Sequence, residues 1–257
     1  MRHFGITSLL ALCSVLLSAA SATALTTRWY RYQRDINGIT PPDARLDAKP
    51  RNPFGVNIDL LGKTAAEQSA ALAQIKAAGF GWVRQEFSWV NLEVEMGVWD
   101  WQSADTLVQA AQAQNLQIVA VLHRPPEWIR VLPSQTTSPP KNLKSWTAYA
   151  FRIAKRYSQQ IHVFQIWDEP NLQGGWGGLR PSAPDYARVL QAAASGLRSA
   201  QPSATVLLAG LAPTVESGPK NYNEVLFLEQ LYAAGAAPYF DAVAAKPYGF
   251  DTPPTDR

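Results

Sequence analysis

Two adjacent carboxylates, Asp168 and Glu169, close a run that is otherwise free of charge: Val163, Phe164, Gln165, Ile166 and Trp167 precede them, and Pro170-Asn171 follows. The run has the length and the β-branched and aromatic content of a buried strand, and the proline stops it abruptly. The two acids are therefore expected where a strand meets its loop. Acids in apolar surroundings are normally paired or put to use, because desolvation disfavours the charged form. A carboxyl group that keeps its proton near neutral pH is what general-acid catalysis requires.

Such a pair needs a scaffold that delivers strand ends to one place. Residues 54–60, 81–89, 116–123, 163–167, 205–211 and 240–247 read as strands. Between them, residues 64–78 (ended by Gly79), 103–114 (capped by Ser103), 144–159, 182 or 183–200 and 223–234 read as helices. Strict alternation of this kind implies an α/β fold of parallel βαβ units.

The segment Trp167-Asp168-Glu169-Pro170-Asn171 resembles the Trp-Asn-Glu-Pro-Asn signature of retaining glycoside hydrolases built on a (β/α)8 TIM-type barrel, the clan of cellulase, β-xylosidase and α-L-iduronidase relatives. The resemblance extends to Phe54-Gly55 in the first strand, Arg84 with Trp89 in the second, Gly97-Val98-Trp99-Asp100-Trp101 before the next helix, and Lys246-Pro247-Tyr248-Gly249 in the sixth strand. It implies that Glu169 is the catalytic acid/base. It also implies substrate-site places for Asp168 at the sugar 2-hydroxyl, Arg84 beside the nucleophile, His123 near a sugar hydroxyl, Trp128 as a stacking platform and Tyr248 as a partner of the nucleophile. His123 equally suits a structural role, and Trp167 suits core or pocket wall. Two positions depart from the pattern. Asp168 replaces the usual Asn and, when ionised, accepts hydrogen bonds but donates none; Lys246 replaces the usual His. Gly174-Gly175-Trp176-Gly177-Gly178 reads as a flexible loop with an aromatic tip that borders a subsite, or simply as a long loop.

Six strands do not close an eight-stranded barrel. Residues 53–257 are thus expected to be a partial TIM barrel with about six βα units present and the last two missing. In retaining enzymes the second carboxylate is a nucleophile; the resemblance assigns it to a Glu ending the seventh strand, outside this chain. Glu86 and Glu216 are the other acids within reach of the strand ends, with a salt bridge or a solvated loop as their default role. Three readings follow: an exported retaining glycosidase, a non-catalytic carbohydrate-binding relative, or an inactive gene fragment.

Arg2 and His3, the apolar run 6–20 and the small residues 20–24 form the pattern of a secretory signal peptide over residues 1–24, followed by a leader segment, 25–52. The expected destination is secreted or periplasmic. The apolar run is shorter than the roughly 20 residues that span a bilayer, so no membrane association is expected of the mature form. The single cysteine, Cys13, falls inside the signal, which leaves the mature chain without disulfides or thiolate metal sites. A net charge of +3, spread along the chain, indicates no nucleic-acid partner. Nine tryptophans suit the expected carbohydrate partner, since aromatic faces stack on sugar rings. The inferred mechanism requires neither metal nor organic cofactor.

Overall fold

The computed structural model describes residues 52–248. The expected signal peptide, residues 25–51 of the leader and Gly249 lie outside the described residues. In chain order the elements are β1 (Gly55–Ile58), α1 (Ala65–Ala77), β2 (Trp82–Ser88), the short helix α2 (Trp89–Leu92), β3 (Glu93–Glu95), β4 (Val98–Trp99), α3 (Gln102–Ala113) and β5 (Gln117–His123). They continue with α4 (Leu143–Arg156), β6 (Val163–Ile166), α5 (Ala183–Ala200), β7 (Thr205–Leu207) and α6 (Glu224–Ala233). Five strands form one parallel sheet in the order β1-β2-β5-β6-β7, and β3 and β4 form a separate antiparallel hairpin.

Register divides the sheet into two chemically different faces. Val83, Ile118, Ala120, Leu122, Phe164, Ile166 and Val206 fall on one face, each 3% exposed or less, within the same core cluster as the helices' apolar stripes. Burial of such side chains supplies about 1.5–3 kcal/mol each, and the helices exist largely to provide it. α4 shows how: Trp146, Tyr149, Ala150, Ile153 and Ala154 recur at helical spacing and are all fully buried. Asn142 starts that helix by accepting from the backbone N–H groups of Lys144 and Ser145. The opposite face carries Asn57, Arg84 and Val119 in one layer and Glu86, Val121 and Gln165 in the next. Alternation along the strands therefore separates a dry side from a side with polar function.

Two elements differ from expectation. Ser103 does not cap α3; Trp101 occupies the N-cap position, and the Ser103 hydroxyl accepts from Gly62 N (2.8 Å) and Gln68 Nε2 (3.0 Å), tying the loop after β1 to α3. The stretch 240–247 does not form a continuous sixth strand. It runs alongside β7 through isolated parallel bridges, Leu207 with Ala242 and Leu211 with Ala245. The Asp241 carboxylate accepts the Val206 N–H at 2.8 Å, so a side chain takes a donor that a regular ladder would use. The alignment nevertheless carries Lys246 to the end of the sheet.

Candidate active site

Glu169 is held in an uncommon backbone state. Trp167 and Glu169 have φ of 72° and 50°, the left-handed region that costs a non-glycine residue on the order of 1 kcal/mol or more. The surroundings fix both. Trp167 N–H donates to Leu122 O (2.9 Å), continuing the β5–β6 ladder, and Glu169 N–H donates to Gly210 O (3.0 Å) beyond β7. The Trp167 indole is fully buried and donates to Gly175 O at 2.9 Å. Gly175 lies so close to the turn that a Cβ there would stand 2.0 Å from Glu169 O. The glycine-rich stretch is thus the packing partner of the Glu169 turn. Its aromatic residue is not a tip: Trp176 is 2% exposed and packs edge-on against Trp167 (5.5 Å between ring centres) and Tyr186 (6.1 Å). Large apolar area drives that ring inward and corrects the expectation of a subsite border.

Asn171 completes the anchoring. It is fully buried; its amide donates to Ala212 O and Tyr222 O (2.8 Å each) and its carbonyl accepts from Ala212 N (3.0 Å). Every strong bond of this side chain goes to backbone, so its role is to clamp the loop after β6 to the segment after β7.

The side chains beside Glu169 form one charged network. Arg84 donates from Nη2 to Asp168 Oδ1 (3.0 Å), from Nε to Gln165 Oε1 (2.9 Å) and from Nη1 to Asn57 Oδ1 (3.3 Å). Gln165, 2% exposed, donates from Nε2 to Trp167 O (2.8 Å) and Asp168 Oδ1 (3.3 Å). Lys246 donates to Asp168 Oδ2 (3.0 Å) and to Glu169 Oε1 (2.7 Å). Burial alone would lower the affinity of Lys246 for its proton, but the two carboxylates outweigh it and hold the ammonium above its ordinary pKa. Gly210 makes room for this contact, since a Cβ there would meet Lys246 Cε at 2.9 Å. The two positions at which the chain departs from the clan's pattern, Asp168 and Lys246, therefore meet in space. The negative charge introduced by one is matched by the positive charge introduced by the other.

A second cluster lies at the ends of β2 and β5. Glu86 pairs with Arg124 Nε at 2.8 Å, accepts from the Ser88 hydroxyl, and stands 3.6 Å from His123 Nδ1, an electrostatic contact beyond hydrogen-bond distance. Burial pushes the Glu86 carboxyl up, but His123, Ser88 and Arg124 together bring it below the usual carboxylate range. His123 itself is 4% exposed, with its ring edge-on to Trp167 at 4.4 Å, and neither ring nitrogen has a hydrogen-bond partner among the described residues.

The structure brings Glu169, Asp168 and Arg84 together, with His123 packed behind them on Trp167. Trp128 is half-buried in the 3-10 turn Glu127–Ile129 and lines a different cavity, with Trp89, Trp99 and Tyr149. Tyr248, 59% exposed, lies at the end of the described residues, its N–H on Lys246 O at 2.8 Å. Glu216 binds Asn221 Nδ2 at 2.7 Å on an exposed loop. Gln165 and Asn171 are the site residues that sequence reasoning missed. Gln165 was legible in principle: strand periodicity sets it in register with Val121 and Glu86, on the face that carries Arg84. Among the described residues no group of His, Cys, Asp and Glu is arranged to hold a metal ion.

Known proteins share this architecture. A family 39 glycoside hydrolase from Bacteroides cellulosilyticus WH2 superposes with a TM-score of 0.57 at 17% identity, over 77% of this chain and 39% of that one. A glucosidase from Croceicoccus marinus gives 0.51 at 13% identity, over 68% and 39%. A β-galactosidase from Marinomonas ef1 gives 0.50 at 11% identity, over 60% and 36%. The chain thus spans under two fifths of the length of these solved structures, and at such identities the likeness shows the fold: an α/β assembly matching the TIM barrels of glycosidases over part of its length. A search of curated proteins finds no match. At the level of sequence, residues 45–228 match the cellulase family, glycosyl hydrolase family 5. That match covers most of the chain, and the chain belongs to that family.

Proposed function

We propose that this chain carries the acid/base half of a retaining glycoside hydrolase site, with Glu169 as the group that protonates the leaving oxygen and then deprotonates water. The observation that carries the reading is the Glu169 turn. A glutamate at the end of a parallel strand is held at φ 50°, its N–H donated to Gly210 O at 3.0 Å. Strain held in place by surrounding bonds is characteristic of functional positions. Strand ends at one face of a barrel are where such enzymes place their chemistry. Asp168 and Arg84 border the same spot and are proposed to contact the sugar, with His123 as a buried wall behind them.

The nucleophile of the double displacement is proposed to be a glutamate on a strand beyond these five. Glu86 and Glu216 are engaged elsewhere, by Arg124 and Asn221, and neither is offered to Glu169. The substrate is proposed to be an oligo- or polysaccharide joined by O-glycosidic bonds. The N-terminal pattern is proposed to direct export, with cleavage after Ala22 or Ala24; N-terminal sequencing of the mature protein tests this, and an intact Met1 in the mature product would refute it. Turnover of aryl β-glycosides that is lost in Glu169→Gln supports the assignment. A second reading, a carbohydrate-binding relative without turnover, is favoured by the ion pair that occupies Glu169, and sugar binding with no hydrolysis by the full-length protein would establish it.

A further inference from the structure

Away from Glu169, two adjoining cavities run along α4. The first, about 240 Å³, is lined by Trp89, Trp99 and Trp128; the second, about 870 Å³, by Trp101, Tyr157, Lys155 and Arg156; Ala148 and Arg152 border both. None of the residues bonded to Glu169 lines either. Ser145, in the first, and Lys155, in the second, are ten residues apart on α4, about 15 Å along its axis. Together the cavities form a track long enough for several linked rings rather than a single small molecule.

The chemistry of the track is specific. Trp99 and Trp101 stack in parallel, 5.1 Å apart, with the Arg152 guanidinium 5.2 Å from the centre of Trp99 and that of Arg156 4.9 Å from the centre of Trp101. Arg156 spends its donors on Asp105, with Nε on Oδ1 at 2.7 Å. Arg152 and Lys155 are exposed and form no ion pair among the described residues. The groove thus presents aromatic rings along its wall, a Glu93 carboxylate in the first cavity that accepts from Trp89 Nε1 (2.6 Å) and Gly97 N (2.7 Å), and two cations that form no ion pair, Arg152 where the cavities adjoin and Lys155 in the second. A neutral glycan would leave those cations unmatched, and the guanidinium over Trp99 would stand between the ring and the sugar. A chain of carboxylated sugars meets both needs, with acid groups on Arg152 and Lys155 and the apolar C–H face of one ring on Trp128.

We propose that this track is an accessory binding site for an acidic oligosaccharide, a chain of uronate residues, separate from the catalytic centre. The proposal rests on the carbohydrate family to which the chain belongs and not on the role of Glu169, so either can fail without the other.

Calorimetric titration of the 257-residue protein with trigalacturonate tests it, with cellotriose as the neutral counterpart. The uronate is expected to bind and cellotriose to bind at least about tenfold more weakly. Removing both unpaired cations, Arg152→Ala with Lys155→Ala, is expected to weaken uronate binding by about tenfold or more, as loss of charge-assisted hydrogen bonds does. The charge-matched pair Lys63→Ala with Lys220→Ala is expected to change it less than about twofold, since exposed charges elsewhere are screened. Trp128→Ala, which leaves the charge intact, is expected to weaken binding by about threefold or more through the lost ring face, whereas Glu169→Gln leaves it unchanged. The proposal is overturned by absence of uronate binding, by equal loss in the two charge-removal pairs, by no effect of Trp128→Ala, or by loss in Glu169→Gln. It is equally overturned if a single-stranded oligonucleotide binds as tightly with the same dependence on Arg152 and Lys155, which would mark a general polyanion surface.

Discussion

The Lys246 ammonium donates to Glu169 Oε1 at 2.7 Å while also holding Asp168 Oδ2 at 3.0 Å. One cation thus fixes both acids of the strand-end pair, and Arg84 holds the remaining oxygen of Asp168. In the proposed mechanism Lys246 therefore has to release or share Glu169 as the glycosidic oxygen approaches.

Because Lys246 is held above its ordinary pKa in the folded protein, its contribution to stability is complete below the unfolded value near 10.4 and is lost as pH rises through the higher folded value. Lys246→Met is accordingly expected to unfold more easily than the parent at pH 7 to 9 in urea titrations, by about 1–2 kcal/mol for a largely buried charged hydrogen bond. The gap should close as pH rises past about 10.4. A gap that widens above that pH would contradict the pairing.

If Asp168 and Lys246 compensate one another, their substitutions are not additive. Asp168→Asn and Lys246→His are each expected to destabilise, and the double variant to recover about 1 kcal/mol relative to their sum. A double-mutant cycle from denaturant midpoints gives this directly. Strict additivity would show that the two departures from the clan's pattern are independent.

Asn171→Ala removes three buried hydrogen bonds and leaves two backbone carbonyls and one N–H without their partner. The expected loss is about 2–4 kcal/mol of stability, accompanied by lower activity because the Glu169 turn loses its clamp. Thermal denaturation together with turnover measures both; a change below about 0.5 kcal/mol would place Asn171 outside the structural clamp.

Gly175→Ala puts a Cβ 2.0 Å from Glu169 O, a distance no packed structure tolerates. The loop or the turn must shift, at about 1–3 kcal/mol. Activity is expected to fall further than stability alone explains, since the displaced atom belongs to the proposed acid/base residue. A Gly175→Ala protein with unaltered kcat and stability would show that the two segments are not in contact.

For Glu86 the sign is opposite to that of Lys246. Its folded carboxyl lies below the unfolded value near 4.3, so its stabilisation is present above that pH and disappears as pH falls through the folded value. Arg124→Ala is expected to cost up to about 1 kcal/mol at pH 7, discounted for the half-exposed guanidinium. The difference from the parent should begin to shrink as pH falls below the unfolded value near 4.3 and vanish only below the lower folded value; acid titration of the circular dichroism signal follows it.

Much of the framework was legible from sequence because periodicity records burial. The strands at β2, β5 and β6 and the helices α1, α4 and α5 fall within a few residues of their expected positions, α4 and α5 through apolar residues at helical spacing and α1 through its ends, Thr64 as N-cap and Gly79 beyond its last turn. The family relationship was legible from Glu169 and the motifs around it. Pairings between distant segments were not. Nothing in the types of Asp168 and Lys246, 78 residues apart, says that they touch. Trp176 in a glycine-rich stretch looks exposed by local composition, yet packing on Trp167 and Tyr186 decides its place. The segment 240–247 has the apolar content of a strand, but the ladder is broken where the Asp241 side chain substitutes for a backbone acceptor.

The central claim concerns the proton on Glu169. Hydrolysis of a series of aryl β-glycosides, by the full-length protein and by its Glu169→Gln variant, tests it most directly. The account predicts a loss of about 10²–10⁴ for substrates whose leaving groups need a proton, shrinking as the leaving group becomes more acidic. Equal rates for the two proteins, or a loss that is the same for every leaving group, would contradict it.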